Sequence, residues 1–204
     1  VCRSFLKISK KTEIFVHSNK KFKNENKKIK FILHDFKNDH PYKLTWYCRK
    51  LMFKQKNSYD VFIYCEDDIL FTNKNFNYWL KFKSKCLKNN FNLCFLRIEI
   101  NKKTKTLYSA DQVKKSKFYT LIENKKYIIL DNPHYAFWIF DKIEFNEFVK
   151  TKFFKFNWKL VSISGVLLIR EMATLGWHGT NLNGKDMERY KATVIPLVDN
   201  KLDK

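Results

Sequence analysis

Glycine and proline are scarce, with 4 and 3 among 204 residues. That excludes collagen-like and Gly/Ser-linker organisation and leaves a chain expected to fold as one domain over residues 1–204. Long hydrophobic runs are missing too. No stretch approaches the roughly 18–20 apolar residues of a membrane-spanning helix, and the opening "VCRSFLKISKK" lacks the apolar region of a signal peptide. The 5 cysteines never fall as C-x-x-C, which argues against a disulfide framework or a cysteine zinc site. The expected setting is therefore a reducing, cytoplasmic one, with room for peripheral association with a membrane. Acids are also few: 20 against 41 basic residues, a formal charge of +21. Arginine is rare among the basic residues (Arg3, Arg49, Arg97, Arg170, Arg189). Specific nucleic-acid readers favour the planar arginine fork, so no specific nucleic-acid partner is expected. Lysine, asparagine, phenylalanine, isoleucine and tyrosine are abundant together, the residue set of an AT-rich coding sequence. A solvated lysine surface is the simplest reading, and attraction to an anionic substrate or polyanion the other.

What is present supports a sizeable core: 45% hydrophobic and 17% aromatic residues. "EIFVH" (13–17) and "IKFILH" (29–34) read as strands separated by a lysine-rich loop. Asp39 or His40 can cap a helix that Pro41 opens, with Leu44, Tyr47, Cys48, Leu51 and Met52 on one face. "DVFIYC" (60–65) is a continuous apolar run, the pattern of a strand covered on both faces. A helix with Phe76, Trp79, Leu80, Lys83 and Leu87 at helical spacing follows, then "FNLCFLRIEI" (91–100) as another strand. This alternation predicts an α/β fold, a Rossmann-like, mixed and mostly parallel sheet flanked by helices. Farther on, 117–122 and 126–131 read as a hairpin, 141–153 as a helix, and "SGVLLIREMATLG" as another helix. All four glycines fall in 165–184, marking "GWHGTNLNGKD" as an expected mobile loop.

The chemistry concentrates at Glu66, Asp67 and Asp68. In an open sheet, ligands bind beyond the carboxyl ends of the strands, and three adjacent acids repel unless a cation or hydrogen-bond donors offset them. Mg²⁺ or Mn²⁺ suits carboxylate oxygens and can also hold a diphosphate. The competing reading is a helix cap or ion pairs with surface lysines.

The strand-then-"EDD" pattern resembles the DXD-type motif of nucleotide-sugar-dependent glycosyltransferases of the GT-A fold. The ordered series "HPYKLTWYCRKL", "YDVFIYCEDDILFT", "FLRIE", "NPHYAFWIF" and "REMATLGWHG" is similar to a subset of them. The resemblance implies residues 1–100 as the nucleotide-sugar and metal half, and 101–204 as the acceptor half. It implies Asp68 as leading metal ligand, Glu66 as second ligand or ribose contact, and Asp67 as an auxiliary on the cofactor. His178 would complete the metal site and Lys185 would contact the diphosphate. For an inverting enzyme the base would be Glu171, or Asp141 in its place. Arg97, Glu99, His134, Trp138 and Arg170 would contact substrate, aromatic faces stacking on sugar rings. The expected partners are a nucleoside-diphosphate sugar, a UDP-sugar first, and a glycan or other hydroxyl acceptor. Against that pattern the chain is expected to open at the end of the first helix, so that either the first strand is missing or the fold starts differently, and the base contact is left unassigned. Two other classes use the same features. A nucleotidyltransferase or nuclease also places acids at a strand end, and a lysine-rich polyanion-binding module needs no catalysis.

Overall fold

The computed structural model describes residues 1–37, 39–109, 119–130, 136–156, 168–175, 177–178 and 192–196. The chain is mixed α/β. Helix α1 (Cys2–Phe5) precedes strands β1 (Ile14–Ser18) and β2 (Ile29–Leu33), which pair in parallel. His40 caps the next element as expected: its Nδ1 accepts from the Tyr42 N–H at 3.2 Å, and Pro41 opens a short 3-10 turn that runs into α2 (Leu44–Lys54). Strand β3 (Val61–Cys65) leads to α3 (Asn73–Lys88), then β4 (Phe91–Leu93), β5 (Ile98–Ile100) and β6 (Leu107–Ser109). The second half supplies β7 (Tyr119–Ile122), β8 (Lys125–Ile129), β9 (Phe137–Asp141), α4 (Lys142–Phe148), α5 (Leu168–Leu175) and β10 (Ala192–Pro196).

Of the expected mostly parallel sheet, the described residues show parallel pairing in β1–β2 and β4–β10, and antiparallel pairing in β3–β9, β5–β6, β7–β8 and β8–β10. The ladders form four small sheets. The run 91–100 is not one strand. β4 joins β10, residues 94–97 are irregular, and β5 forms a separate hairpin with β6. The hairpin at β7–β8 is as expected, and its two-residue turn has Glu123 at φ 49° and Asn124 at φ 62°. Two positive φ values match the right-handed twist of the flanking strands.

The β3–β9 pair carries the architecture. Phe62, Tyr64, Trp138 and Phe140 face one layer, packed on Phe145 and Phe148 of α4 and on Trp177. Val61, Ile63, Phe137 and Ile139 face the other, against Trp79, Phe82 and Cys86 of α3. β3 is thus covered on both faces, which is why its sequence is apolar without alternation. On α3 the core stripe is Trp79, Phe82, Lys83 and Cys86, while Leu80, expected inside, is 49% exposed. The described residues contain no helix long and apolar enough to cross a membrane.

Candidate active site

The acids sit where β3 ends. The Glu66 N–H still donates to the Ala136 carbonyl across the β9 side at 3.1 Å, and the Ile69 N–H donates to the Glu66 carbonyl at 3.3 Å. Residues 66–69 are therefore a turn with Asp67 and Asp68 exposed at its tip and Glu66 half-buried at its base. Phe71 fixes the return by inserting among Phe5, Phe95 and Phe137. Thr72 then caps α3, its hydroxyl accepting from the Asn75 N–H while Asn75 accepts from the Thr72 N–H. A buried strand on one side and a capped helix on the other hold the acids in place. Opposite them, Ala136 adopts φ 53°, a left-handed conformation that costs a Cβ-bearing residue roughly 1–2 kcal/mol. That strain lies at the mouth of the site.

Charge brings distant segments together here. Burial pushes the Glu66 carboxyl above its ordinary range and Asp68 adds to this, while the Arg170 and Arg97 guanidinium groups pull it down. Glu66, Asp68, Arg97 and Arg170 therefore share one electrostatic neighbourhood, although they come from the β3 turn, the β4–β5 connection and α5. Beneath them the Cys65 thiol is pushed up to about 12, by burial first and then by Asp68 and Glu66. Arg170 lies over the Tyr42 ring at 4.5 Å. Its Nε, and Oε2 of the adjoining Glu171, are buried with no hydrogen-bond partner among the described residues.

Two residues that local pattern did not single out make this possible. Tyr42 gives Arg170 its stacking surface. Arg49, buried on α2, donates to the carbonyls of Phe153, Phe154 and Ala173 at 2.5, 2.8 and 2.7 Å and stacks on Trp46 at 4.1 Å. It ties α2 to α5 and so places Arg170 and Glu171. An arginine inside an apolar helix face was the available signal.

Other expected site residues lie elsewhere. Asp141 pairs with Val61, at the opposite end of the β3–β9 ladder from Glu66. It caps α4 by accepting from the Glu144 N–H at 2.8 Å and bonds Lys83, so it is a structural acid and not a base beside Asp68. Trp138 is 4% exposed, stacked on Tyr64 and Phe140, with Nε1 donating to the Ala173 carbonyl at 3.4 Å. It offers no face to a sugar. His178 is 3% exposed and packs edge-on against Phe140, which pairs with Phe62 toward that same far end. It lines a cavity of about 20 Å³ with Leu93, Cys94, Phe137 and Thr193. That is room for a water, not for a sugar nucleotide. Glu99 is exposed on β5 opposite Tyr108, away from the strand it was expected to share with Arg97. His134 and Lys185 lie outside the described residues.

Among the described residues no group of three His, Cys, Asp or Glu side chains is placed to hold a metal. Glu66 and Asp68 are the neighbouring carboxylates at this turn, and carboxylate oxygens are ligands that hard divalent cations favour. Comparison with known proteins finds no matching family model, no matching curated protein and no matching solved structure.

Proposed function

We propose that the chain is a metal-dependent glycosyltransferase of the GT-A type, moving a sugar from a nucleoside-diphosphate donor, a UDP-sugar first, to a hydroxyl acceptor. One observation carries the reading: the half-buried Glu66 carboxyl at the exit of β3 feels the charge of Asp68 and of two guanidinium groups, Arg97 and Arg170, that come from separate segments. Carboxylates alone would suit a cation; carboxylates beside arginines suit a cation together with a diphosphate.

Asp68, at the exposed tip, and Glu66, at its base, would hold Mn²⁺ or Mg²⁺. When bound, that cation neutralises charge on the departing nucleoside diphosphate. Against the burial that pushes the Glu66 carboxyl up, Arg170 and Arg97 pull it down, and they would supply positive charge for a diphosphate. Tyr42 fixes the plane of Arg170. Glu171 is the base: its Oε2 is free of hydrogen bonds among the described residues and can accept the acceptor hydroxyl proton as that oxygen attacks the anomeric carbon.

The test is thermal unfolding with Mn²⁺ and UDP, GDP or dTDP, followed by release of free nucleotide from the matching sugar donor. The expected result is stabilisation by one nucleotide only when Mn²⁺ is present, and its loss in Asp68→Ala. No shift with any nucleotide in folded protein would overturn the reading. Normal turnover by Asp68→Ala would overturn the assignment of the site. Glu171→Gln should retain nucleotide binding and lose transfer by roughly 10²–10⁴-fold.

A further inference from the structure

The β1–β2 pair is built as parallel sheets are, but it is not covered as they are. Parallel strands are normally joined by a crossover of a dozen or more residues, usually a helix that packs back on the sheet. Here residues 19–28 make the connection without a helix. The loop is nevertheless well formed. The Asn24 side chain donates to the Asn26 and Ile29 carbonyls at 2.9 and 2.6 Å, and the Lys20 N–H donates to Ser18 Oγ at 3.0 Å. One side chain of the loop, Phe22, reaches the strands, its ring 5.5 Å from that of Phe31.

The result is an exposed apolar patch where a helix would ordinarily lie. Phe22 is 53% exposed, Phe31 37% and Leu33 62%. Phe31 and Leu33 lie two apart on β2 and so share one face. Around Phe22 stand Lys20, Lys21, Lys23 and Lys27, all exposed, with Glu25 as the loop's acid. Two more lysines are engaged at the margin: Lys28 donates to the Lys10 carbonyl and Lys30 pairs with Glu13 at 2.8 Å.

We propose that this face, the 19–28 loop with Phe31 and Leu33, is a docking surface for an anionic lipid bilayer. A cluster of lysines around exposed phenylalanine and leucine matches both parts of such a surface. The ammonium groups meet acidic headgroups, and the apolar side chains enter the headgroup–acyl boundary. A nucleic acid would satisfy the lysines but leave Leu33 with nothing to stack on, and arginine, the better phosphate fork, is absent from the loop. The surface is independent of the transferase reading. It needs no turnover to be tested.

The experiment is co-sedimentation of the full chain with vesicles of phosphatidylcholine, with and without added phosphatidylserine. Binding is expected to require phosphatidylserine. K20E/K21E/K23E should weaken it at least about tenfold, whereas K50E/K54E/K81E, the same charge change on exposed helix positions, should stay within about twofold. F22S/L33S keeps every lysine and should weaken vesicle binding about tenfold while leaving binding to duplex DNA unchanged. Equal binding to pure phosphatidylcholine, equal loss in the two lysine triples, or full vesicle binding by F22S/L33S would each overturn the proposal. So would duplex DNA that displaces the vesicles and binds through the same three lysines.

Discussion

Lys83 shows how much a single buried charge can organise. It sits on the apolar stripe of α3, 4.7 Å over the Trp79 ring, and bonds both Asp141 and Glu144, the latter at 2.9 Å. Burial pushes the Glu144 carboxyl up and Lys83 pulls it back. Lys83→Met would leave two carboxylates without their cation and is expected to cost about 3–5 kcal/mol. Adding Asp141→Asn and Glu144→Gln to that variant should recover much of the loss in urea unfolding. Recovery would show that the penalty is stranded charge, not lost packing. The histidine pair behaves differently. His17 Nδ1 and His34 Nε2 are 2.8 Å apart, and burial, with the neighbouring His34, lowers His17 from its ordinary 6.5 to about 4. The folded state therefore keeps His17 neutral where the unfolded chain already binds a proton. Its contribution is fully present above pH 6.5 and is lost as pH falls toward 4. Because the ring is partly solvated, the expected loss is about 1–2 kcal/mol. Urea melts at pH 7 and pH 5 should differ by that amount, and His17→Phe should flatten the difference.

At the level of elements, local pattern was a good guide wherever a segment answers to its own neighbours. His40 and Pro41 announced α2, and the apolar run 60–65 announced a strand covered on both faces. The β7–β8 turn was also legible, and it carries a prediction. Glu123 is held at φ 49° while its carboxylate pairs with Lys85. An exposed pair is worth about 0–1 kcal/mol, and a non-glycine residue in the left-handed region costs roughly 1–2 kcal/mol. Relief of backbone strain should win, so Glu123→Gly is expected to raise stability by about 0.5–1 kcal/mol in thermal unfolding. Pattern failed where the deciding partner is remote. The run 91–100 is apolar enough for one strand, but β4 is claimed by β10, about a hundred residues away, and β5 by the hairpin with β6. The site follows the same rule. Three acids after a buried strand could be read directly, whereas Arg97, from the β4–β5 connection, and Arg170, on the α5 that Arg49 ties to α2, act on Glu66 from remote segments. His178 and Trp138 show the converse: both are buried among core aromatics, a position that local pattern does not separate from one facing a ligand.

The whole molecule carries 41 basic and 20 acidic residues, so most of its positive charges have no acid available to pair with. Two opposed effects of salt follow. Screening weakens surface pairs such as Lys37–Asp35 and Lys150–Glu147, each worth about 0–1 kcal/mol at most. It also weakens the repulsion of a +21 chain for itself, which disfavours the compact state. The second effect involves far more charges and should dominate. The Debye length falls from about 10 Å in 0.1 M salt to about 3 Å in 1 M, and a gain of only 1 kcal/mol would lift Tm by about 2–4 °C in a chain of this size. Calorimetry across that range of sodium chloride should therefore show Tm rising by a few degrees. A falling Tm would mean that the pairs outweigh the repulsion. Vesicle binding by the 19–28 loop must respond in the opposite sense, since the attraction of Lys20, Lys21 and Lys23 for anionic headgroups is screened by the same salt. A single salt series read by both methods thus separates what the lysines cost the fold from what they contribute at a surface.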